Sequence, residues 1–351
     1  METTPIPERL SLEPLPDLIA AEREWRRLAS ASDNVFSTWE WAEVWWRHFG
    51  DHGSLRLTRV RVGDEIVAIL PLYIARRAGV RLARLVGHGV ADQLGAVCDP
   101  RFAGAAIDEV IRSHGADVLL LERVPAQPMT GVRPGVMLRE EASPVVAIAG
   151  EGGWEGYLAA KSANFRQQVR RRARSLSRLG LRYRLSDDPA GLMRDLDMLM
   201  KLHAARWGEQ SRAFVGARQP FHREFAALAL ERGWLRLWIA EVDERPVAAW
   251  YGFRYEGSEY FYQSGRDPTW ERHRVGAGLL EHTIREAFDD GMREYRLLRG
   301  DEAYKQRYAS HTRSVQTLAL SRKALGRSLI GLVRSLGSTR PGRAAVRRVV
   351  G

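Results

Sequence analysis

The chain has 351 residues, 45% of them hydrophobic, which is enough for about two domains with buried cores. Its single cysteine, Cys98, excludes an intramolecular disulfide and indicates a reducing compartment. The net charge of +11 comes from residues 161–186 and 321–351, which hold nine and eight basic residues and no acid. The remainder holds 37 basic and 43 acidic residues, which argues against a surface that coats nucleic acid.

Several functional classes lack their sequence signals. The N-terminus has neither the basic nor the apolar region of a signal peptide, and no apolar run approaches the roughly 18–20 residues of a membrane span. The nine histidines show no metal-ligand spacing, so we predict no metal. Cys98 lies in no nucleophile motif, and no G-x-S-x-G is present. We therefore expect a cytoplasmic protein that works without a covalent nucleophile.

The first 150 residues alternate short strands and helices. Ser37 or Thr38 can cap an aromatic-rich helix that carries Trp41 and Trp45 on one face. A turn at Gly63-Asp64 predicts a hairpin. The elements expected after it are strands within 80–98, a helix at 105–113, and strands at 117–122 and 145–149, with a loop at 125–136 before the last strand.

Residues 154–180 predict one long helix that ends at Gly180. Its apolar stripe consists of Phe165, Val169, Ala173 and Leu176. A second stripe consists of arginines at four-residue spacing, namely Arg166, Arg170, Arg174 and Arg178. Three interpretations of this arginine stripe are open. It could be a solvated helix face, a phosphate-binding face for a nucleotide-linked or lipid-linked substrate, or a tRNA contact.

The most informative segment runs from Trp234 to Tyr308. Three strands, at 235–242, 247–255 and 259–264, precede the turn Val275-Gly276-Ala277-Gly278, which opens a helix. A further strand ends at Leu298. A glycine turn at a helix N-terminus exposes N–H groups at the positive end of the helix dipole, which favours a phosphate. Neither the dinucleotide fingerprint nor the P-loop pattern is present.

The order and spacing of these segments resemble the GNAT superfamily of acyltransferases, specifically its CelD/BioF2-like (FemAB-like) branch. The residues that carry the resemblance are Asn164–Arg171, Pro246–Tyr255, Tyr260–Asp267, Val275–Leu280 and Arg299–Tyr308, with a looser match at Phe36–Trp41 and Ile66–Ile74. It implies an α/β (α+β) class of tandem GNAT-like folds, with mixed, mostly antiparallel sheets flanked by helices. The expected boundaries are an N-terminal lobe at 1–150, a better-formed acyltransferase domain at 151–320 and a basic tail at 321–351.

The resemblance also implies functional residues. The pyrophosphate of acetyl-CoA or another acyl-CoA would bind at Arg274, Val275, Gly276, Ala277 and Gly278. The family usually has Gln or Arg three residues before the first glycine; here that residue is His273, and Arg272 and Arg274 could supply the charge. Lys305 could stabilise an oxyanion or a substrate phosphate, and Asp301 or Glu302 could act as general base.

A further set of residues is expected to contact the acceptor. These candidates are Asp92, Arg166, Arg170, Tyr262 and Gln263. A turn-forming Asp, a solvated helix face and a β-sheet aromatic ladder are the alternative interpretations of these positions.

The leading hypothesis is an acyl-CoA-dependent N-acyltransferase that acts on an amine of a sugar, a cell-envelope precursor or a small metabolite. One alternative is a FemAB-like transferase that uses aminoacyl-tRNA. Another is a non-catalytic GNAT-like module in envelope polysaccharide assembly. The tail from Leu325 predicts a basic amphipathic helix, through which residues 322–350 could contact a protein partner or a membrane surface.

Overall fold

The computed structural model describes residues 10–51, 53–77, 79–126, 135–148, 152–321, 326–328 and 330–331. They form two compact units, one made of the residues up to Glu141 and from Ser314 on, the other of Ala142–Arg313. These boundaries differ from the expected 150 and 320, because strand β13 (His311–Leu320) pairs with the sheet of the first unit from Val315 onward. Most of the predicted basic tail, and most of the loop at 125–136, lie outside the described residues.

The first unit contains a mixed, mostly antiparallel sheet. Besides β13, its strands are β1 (Leu10–Leu15), β2 (Gly53–Val62), β3 (Glu65–Arg77), β4 (Val80–Leu85), β5 (Val97–Cys98) and β6 (Val118–Pro125). The order is β1-β2-β3-β4-β6-β13, and β5 pairs with β3. The β4–β6 pair is parallel, whereas the other neighbours are antiparallel. The predicted hairpin at Gly63-Asp64 is the β2–β3 pair.

Among the described residues, three helices with complete bounds pack on this sheet. They are α1 (Leu18–Ser32), α2 (Trp39–Phe49) and α3 (Ala103–Ser113). The Thr38 hydroxyl accepts a hydrogen bond from the Trp41 N–H at 3.3 Å, so Thr38 is the N-cap of α2. Trp41 and Trp45 are buried in the core, as their four-residue spacing predicts.

The second unit has its own mixed sheet. Its strands are β7 (Gly135–Ala147), β8 (Arg182–Leu185), β9 (Leu235–Val242), β10 (Arg245–Tyr255), β11 (Ser258–Arg266) and β12 (Glu294–Arg296). From Ala142 onward β7 belongs to this unit, and the order is β7-β12-β11-β10-β9-β8. The β11–β12 pair is parallel and the others are antiparallel. The predicted fold class, two successive α/β units with mostly antiparallel sheets, is confirmed.

Six helices flank the second sheet. They are α4 (Gly153–Ala159), α5 (Ala163–Arg178), α6 (Pro189–Trp207), α7 (Arg218–Glu231), α8 (Val275–Asp289) and α9 (Ala303–Tyr308). The single helix predicted at 154–180 is therefore wrong. Ser162 is the N-cap of α5 and accepts a hydrogen bond from the Phe165 N–H at 3.3 Å. This cap starts a new helix where apolar periodicity alone suggested continuity.

Two glycines permit close packing at the centre of the second sheet. A Cβ on Gly252 would collide with the Tyr260 carbonyl oxygen, at the point where the β10–β11 register shifts. A Cβ on Gly265 would lie 2.5 Å from the Leu202 carbonyl carbon. Because that atom belongs to the backbone of α6, a side chain at position 265 would push the helix away from β11.

We expect Gly265→Ala to lower the free energy of unfolding by about 3 kcal/mol, since the backbone atoms it meets cannot move away cheaply. Urea unfolding followed by circular dichroism measures this change. Gly95→Ala is the matched control, because a Cβ there meets no atom within 4 Å. Equal stability of the two variants would contradict the close packing of α6 on β11.

A carboxylate bound by two arginines holds β12. Glu294 accepts hydrogen bonds from the guanidinium of Arg313 at 2.7 and 3.0 Å and from that of Arg296. Burial by itself would raise its pKa, but the two arginines together lower the pKa of Glu294 to about 2. Arg296 also donates to the Tyr260 hydroxyl at 3.0 Å and so connects β12 to β11.

The Glu294 pKa implies acid sensitivity. Because it is lower in the folded protein, this group contributes stability above about pH 4.5 that is lost as the pH falls toward about 2. We expect the urea midpoint of the wild type to fall more steeply between about pH 5 and 3 than that of Glu294→Gln. Parallel pH profiles for the two proteins would show that this ion pair does not contribute.

Candidate active site

Helix α8 begins without a side-chain cap. Its N-cap is Arg274, which has left-handed backbone angles (φ 57°, ψ 39°), and no side chain bonds to the first turn. The Ala277 and Gly278 amides both donate to the Arg274 carbonyl at 3.1 Å. The N–H groups of Val275 and Gly276 precede the first intrahelical bonds; Val275 is buried, so the Gly276 N–H is the one beside the cavity.

Gly276 and Ala277 line a cavity of about 270 Å³ in the second unit. The atom nearest to a Cβ built on Gly276 would be Arg266 Cδ at 3.4 Å, so a side chain here would occupy the cavity. The start of α8 therefore opens into the cavity, as the glycine turn predicts.

The cavity is strongly cationic. Five arginines and one glutamate, Glu271, are among its lining residues. The arginines come from four elements and the α8 N-cap, and they are Arg172, Arg206, Arg266, Arg274 and Arg307. The Arg266 Nε donates to Glu271 Oε2 at 2.6 Å, whereas Arg274 forms no ion pair with any residue that the structure describes. An anion would find both positive charge and a free N–H donor here.

Burial makes the charge of Arg206 costly. Its Nη1 donates to the Ser264 hydroxyl at 3.1 Å, and its guanidinium lies 4.4 Å from the Trp207 ring centroid. Burial, and then the like charge of Arg266, lower the pKa of Arg206 from its usual value. A bound phosphate would stabilise its charged form.

The remaining wall of the cavity is apolar. Trp250 and Phe261 lie on neighbouring strands with stacked rings whose centroids are 6.1 Å apart. Leu279 and Leu280 of α8 complete this wall. The cavity thus combines an anion-binding surface with apolar contacts, which suits a phosphorylated molecule that also has an apolar part.

Glu281 of α8 fixes two of the lining side chains. It is buried, forms an ion pair with Arg172 of α5, and accepts a hydrogen bond from the Tyr308 hydroxyl at 2.7 Å. Arg172 and Tyr308 both line the cavity. One carboxylate therefore joins α5, α8 and α9 around it.

The predicted catalytic residues lie beside the cavity rather than among its lining residues. Lys305 is buried; its ammonium group donates to the Arg299 carbonyl at 2.6 Å and lies 3.1 Å from the Glu302 carboxylate. The Asp301 carboxylate accepts a hydrogen bond from the Gln306 amide at 3.0 Å. From the same short helix, Tyr304 does line the cavity, and burial raises the pKa of Tyr304 to about 12. The roles of Asp301, Glu302 and Lys305 remain predictions.

Within the predicted phosphate turn, the side chains face different directions. Val275 is buried in the core. Gly278 faces α5, where a Cβ would collide with Leu176, so the packing of two helices requires this glycine. Arg272 donates to the ring of its half-buried neighbour His273 at 2.9 Å, and neither lines the cavity. Of the two flanking arginines, Arg274 is the one that the cavity includes.

The predicted acceptor residues are not brought together in the cavity. Arg166 donates to the Ala159 carbonyl at 3.1 Å, and Arg170 forms an ion pair with Glu155 at 2.9 Å. Tyr262 packs beside His222, and Gln263 is half-buried on β11. Asp92 belongs to the first unit, where it lies 3.7 Å from Arg123. An acceptor role for these five residues stays a prediction.

Sequence reasoning missed most of the cationic lining. Arg206 lies outside every motif, while Arg172, Arg266 and Arg307 lie within segments quoted above but carried no assigned role. Tyr304 directly precedes Lys305 on the six-residue helix α9. Successive helical residues point in different directions, and Tyr304 is the one of the two that lines the cavity. The polar segment after β12 was therefore located correctly, although its cavity-lining residues were not identified.

Comparison with known proteins identifies the fold. Residues 163–306 match the family model described as acetyltransferase (GNAT) domain. This match spans 144 of the 351 residues and supports an acyltransferase of the GNAT type. A comparison with curated proteins gave no significant match.

Solved structures extend the similarity to both units. FemX is 12% identical with a TM-score of 0.62, and the match covers 91% of this chain and 99% of FemX. The C-terminal domain of a putative lysylphosphatidylglycerol synthetase from Agrobacterium fabrum is 13% identical with a TM-score of 0.55. This match covers 92% of this chain and 99% of that domain. L-PGS from Bacillus licheniformis is 12% identical with a TM-score of 0.56, and the match covers 92% of this chain and 98% of that structure. At these identities the matches show the fold, and the predicted FemAB-like form of the GNAT fold is confirmed.

Two searches of the described residues bear on other functions. No helix among them is both long and apolar enough to cross a membrane. No group of three or more His, Cys, Asp or Glu side chains in the same residues is arranged to hold a metal ion.

We expect Glu281→Gln to destabilise the protein by about 3 kcal/mol, because it leaves the Arg172 guanidinium buried without its counter-charge. Thermal and urea unfolding measure the effect. Glu286→Gln on the same helix is the control; the Glu286 carboxylate lies 3.8 Å from the His282 ring, which is neutral at neutral pH because burial lowers the pKa of His282 to about 4, so we expect a change below about 0.5 kcal/mol. Similar stabilities for the two variants would contradict the bridging role of Glu281.

Proposed function

We propose that the protein is an acyl-CoA-dependent N-acyltransferase. The donor would be acetyl-CoA or another acyl-CoA, and the acceptor an amine on a sugar, a cell-envelope precursor or a small metabolite. The observation that supports this most directly is the uncapped N-terminus of α8, open to a cavity lined by five arginines. A pyrophosphate fits the Gly276 N–H and the guanidiniums, and a pantetheine arm or acyl group fits the wall of Trp250, Phe261, Leu279 and Leu280.

Acyl transfer to an amine requires positioning and two proton movements. The amine nitrogen attacks the thioester carbonyl carbon, the carbon–sulfur bond breaks, the nitrogen loses a proton and the sulfur gains one. Tyr304 is the candidate for supplying the proton to sulfur, because this residue lines the cavity and its phenol carries a proton at neutral pH. Asp301 and Glu302 are the candidates for accepting the proton from the amine.

Lys305 would act mainly through other groups. Its contacts with the Arg299 carbonyl and with Glu302 hold the segment between β12 and α9. It is thus a positioning residue in this proposal, and the Glu302 carboxylate depends on it. Lys305→Ala should therefore reduce turnover; full acyl transfer by that variant would refute any role for the lysine.

The donor is tested by calorimetry with acetyl-CoA and a longer acyl-CoA. We expect both to bind the wild type, and Arg274→Ala to weaken binding about tenfold, since it removes a charge-assisted contact. Arg272→Ala is the matched control and should bind normally, because this neighbouring residue does not line the cavity. If neither acyl-CoA binds to the wild type, the proposal of an acyl-CoA donor is refuted.

The role of Tyr304 is tested by steady-state kinetics. Tyr304→Phe should lower kcat roughly a hundredfold with little change in KM, because the leaving thiolate loses its proton donor. A thioester of a more acidic thiol should restore much of the rate, since its thiolate leaves unprotonated. Tyr183→Phe, in the same unit but outside this cavity, is the control. An equal loss with both thioesters would contradict general-acid catalysis.

One observation favours a second donor, an aminoacyl-tRNA. Arg171, Arg174 and Arg178 are exposed on α5, and none forms an ion pair with the residues that the structure describes. Such a face can bind the phosphates of a polyanion. Binding of tRNA to the wild type, lost in a triple alanine variant, together with no CoA binding, would favour this function over the first.

A further inference from the structure

The second unit contains another cavity, of about 180 Å³, here called the Tyr183 cavity. Its described lining residues come from α4, α5, α8 and the segment Leu181–Tyr183, and none of them lines the five-arginine cavity at the start of α8. A cavity of about 150 Å³ holds benzene in a protein interior. The Tyr183 cavity therefore has room for a six-membered ring.

One carboxylate oxygen of Glu281 is available to this cavity. The Oε1 atom accepts a hydrogen bond from the Tyr308 hydroxyl at 2.7 Å and pairs with the Arg172 guanidinium, and both of those residues line the five-arginine cavity. The Oε2 atom accepts no hydrogen bond from any residue that the structure describes. Glu281 itself is only 6% exposed and lines the Tyr183 cavity. Because a buried carboxylate oxygen without a donor is costly, Oε2 is suited to accept a hydrogen bond from an occupant.

The Tyr183 hydroxyl also lacks a hydrogen-bond partner among the described residues. A Cβ built on Gly278 would lie 3.1 Å from this hydroxyl, and Gly278 and Glu281 are three residues apart on α8. Residues at this spacing share one face of a helix, with their Cβ positions about 5–6 Å apart. Burial, and then the nearby Glu281 charge, raise the pKa of Tyr183. One hydroxyl group of a ligand can therefore accept from Tyr183 and donate to Glu281 Oε2.

The charges around the Tyr183 cavity are already paired. Arg172 offsets Glu281, and Arg285, which lines the cavity, lies 3.5 Å from Asp289. His282 also lines the cavity, but burial, and then the charge of Arg285, lower the pKa of His282 to about 4, so its ring is neutral at neutral pH. A charged ligand would lose its hydration and find no unpaired counter-charge among the described lining residues. The lining thus favours a neutral ligand.

The rest of the lining is aromatic and aliphatic. The rings of Tyr183 and His282 are stacked, with their centroids 4.1 Å apart. Trp154, Val169 and Leu176 are among the other lining residues. These side chains suit an apolar body, while the two unpartnered polar groups fix the orientation of its hydroxyl.

We propose that the Tyr183 cavity binds a small neutral alcohol whose apolar body is about the size of a benzene ring. The ligand oxygen accepts a hydrogen bond from the Tyr183 hydroxyl, and its O–H donates to Glu281 Oε2. Because Glu281 also holds Arg172 and Tyr308, the occupant contacts the carboxylate that orders part of the five-arginine cavity. The site does not depend on the acyl donor and stands whether that donor is an acyl-CoA or an aminoacyl-tRNA.

Three probes of nearly equal shape test the ligand class. Benzyl alcohol, benzylamine and ethylbenzene differ only in the group on the benzylic carbon, and each is titrated into the full-length protein with binding followed by ligand-observed NMR. We expect benzyl alcohol to bind at least about tenfold more tightly than benzylamine, because the ammonium group brings a charge without a free counter-charge. Equal or tighter binding of benzylamine, or no binding of benzyl alcohol, would overturn the proposal.

The variant Tyr183→Phe isolates the hydrogen bond. It should weaken the binding of benzyl alcohol about fivefold and leave that of ethylbenzene unchanged, because only the alcohol accepts from the phenol. An equal loss for both probes, or no loss for the alcohol, would show that the Tyr183 hydroxyl does not recognise the ligand.

The variant Ala173→Phe locates the binding. Ala173 is an exposed residue of α5 that lines the cavity, so a phenylalanine there should block it and abolish the binding of benzyl alcohol. Ser175→Phe, exposed on the same helix but outside the cavity, is the matched control and should bind normally. If Ala173→Phe does not fold, Ser177→Trp serves the same purpose, since Ser177 is also exposed and lines the cavity. Undiminished binding by the blocked variant would place the alcohol elsewhere and refute the site.

Discussion

The second unit is organised around the repulsion between five guanidinium groups at the start of α8. Like charges that line one cavity oppose one another, and burying a charged group adds the free-energy cost of its lost hydration. Two carboxylates offset part of this cost within the described residues: Glu271 binds Arg266 at the surface, and Glu281 binds Arg172 inside the fold. Arg274 is not neutralised in this way, and burial, followed by the like charge of Arg266, lowers the pKa of Arg206.

The same constraint explains why so many elements contribute to one cavity. A single helix cannot direct five arginines at one point, so α5, α6, β11, the α8 N-cap and α9 each supply one. Glu281 is essential to this arrangement because its carboxylate connects α5, α8 and α9. The close approach of α6 to β11, which Gly265 permits, carries Arg206 to Ser264. Packing and electrostatics are therefore coupled at this site.

The sequence by itself determined the elements whose signals are local. The cap at Thr38, the hairpin at Gly63-Asp64 and the glycine turn that opens α8 follow from neighbouring residues, and each was predicted correctly. The order of the strands and the turn was sufficient to predict the GNAT fold. The break at Ser162 was missed because Leu158 and Phe165, the apolar residues on either side of it, are seven residues apart, a spacing that one continuous helix also allows.

Only the tertiary structure decided which side chains share the cavity. Arg172 and Arg206 are separated from Arg274 by roughly 70 to 100 residues of sequence, and nothing in their local context distinguishes them from the solvated arginines nearby. Gly278 belongs to the turn in sequence but faces α5 in space, because successive helical residues point about 100° apart. Tyr304 rather than Lys305 lines the cavity for the same reason. The sequence thus predicted a glycine turn at the start of a helix in a GNAT-like fold, and the folded chain decided which charged and apolar side chains surround it.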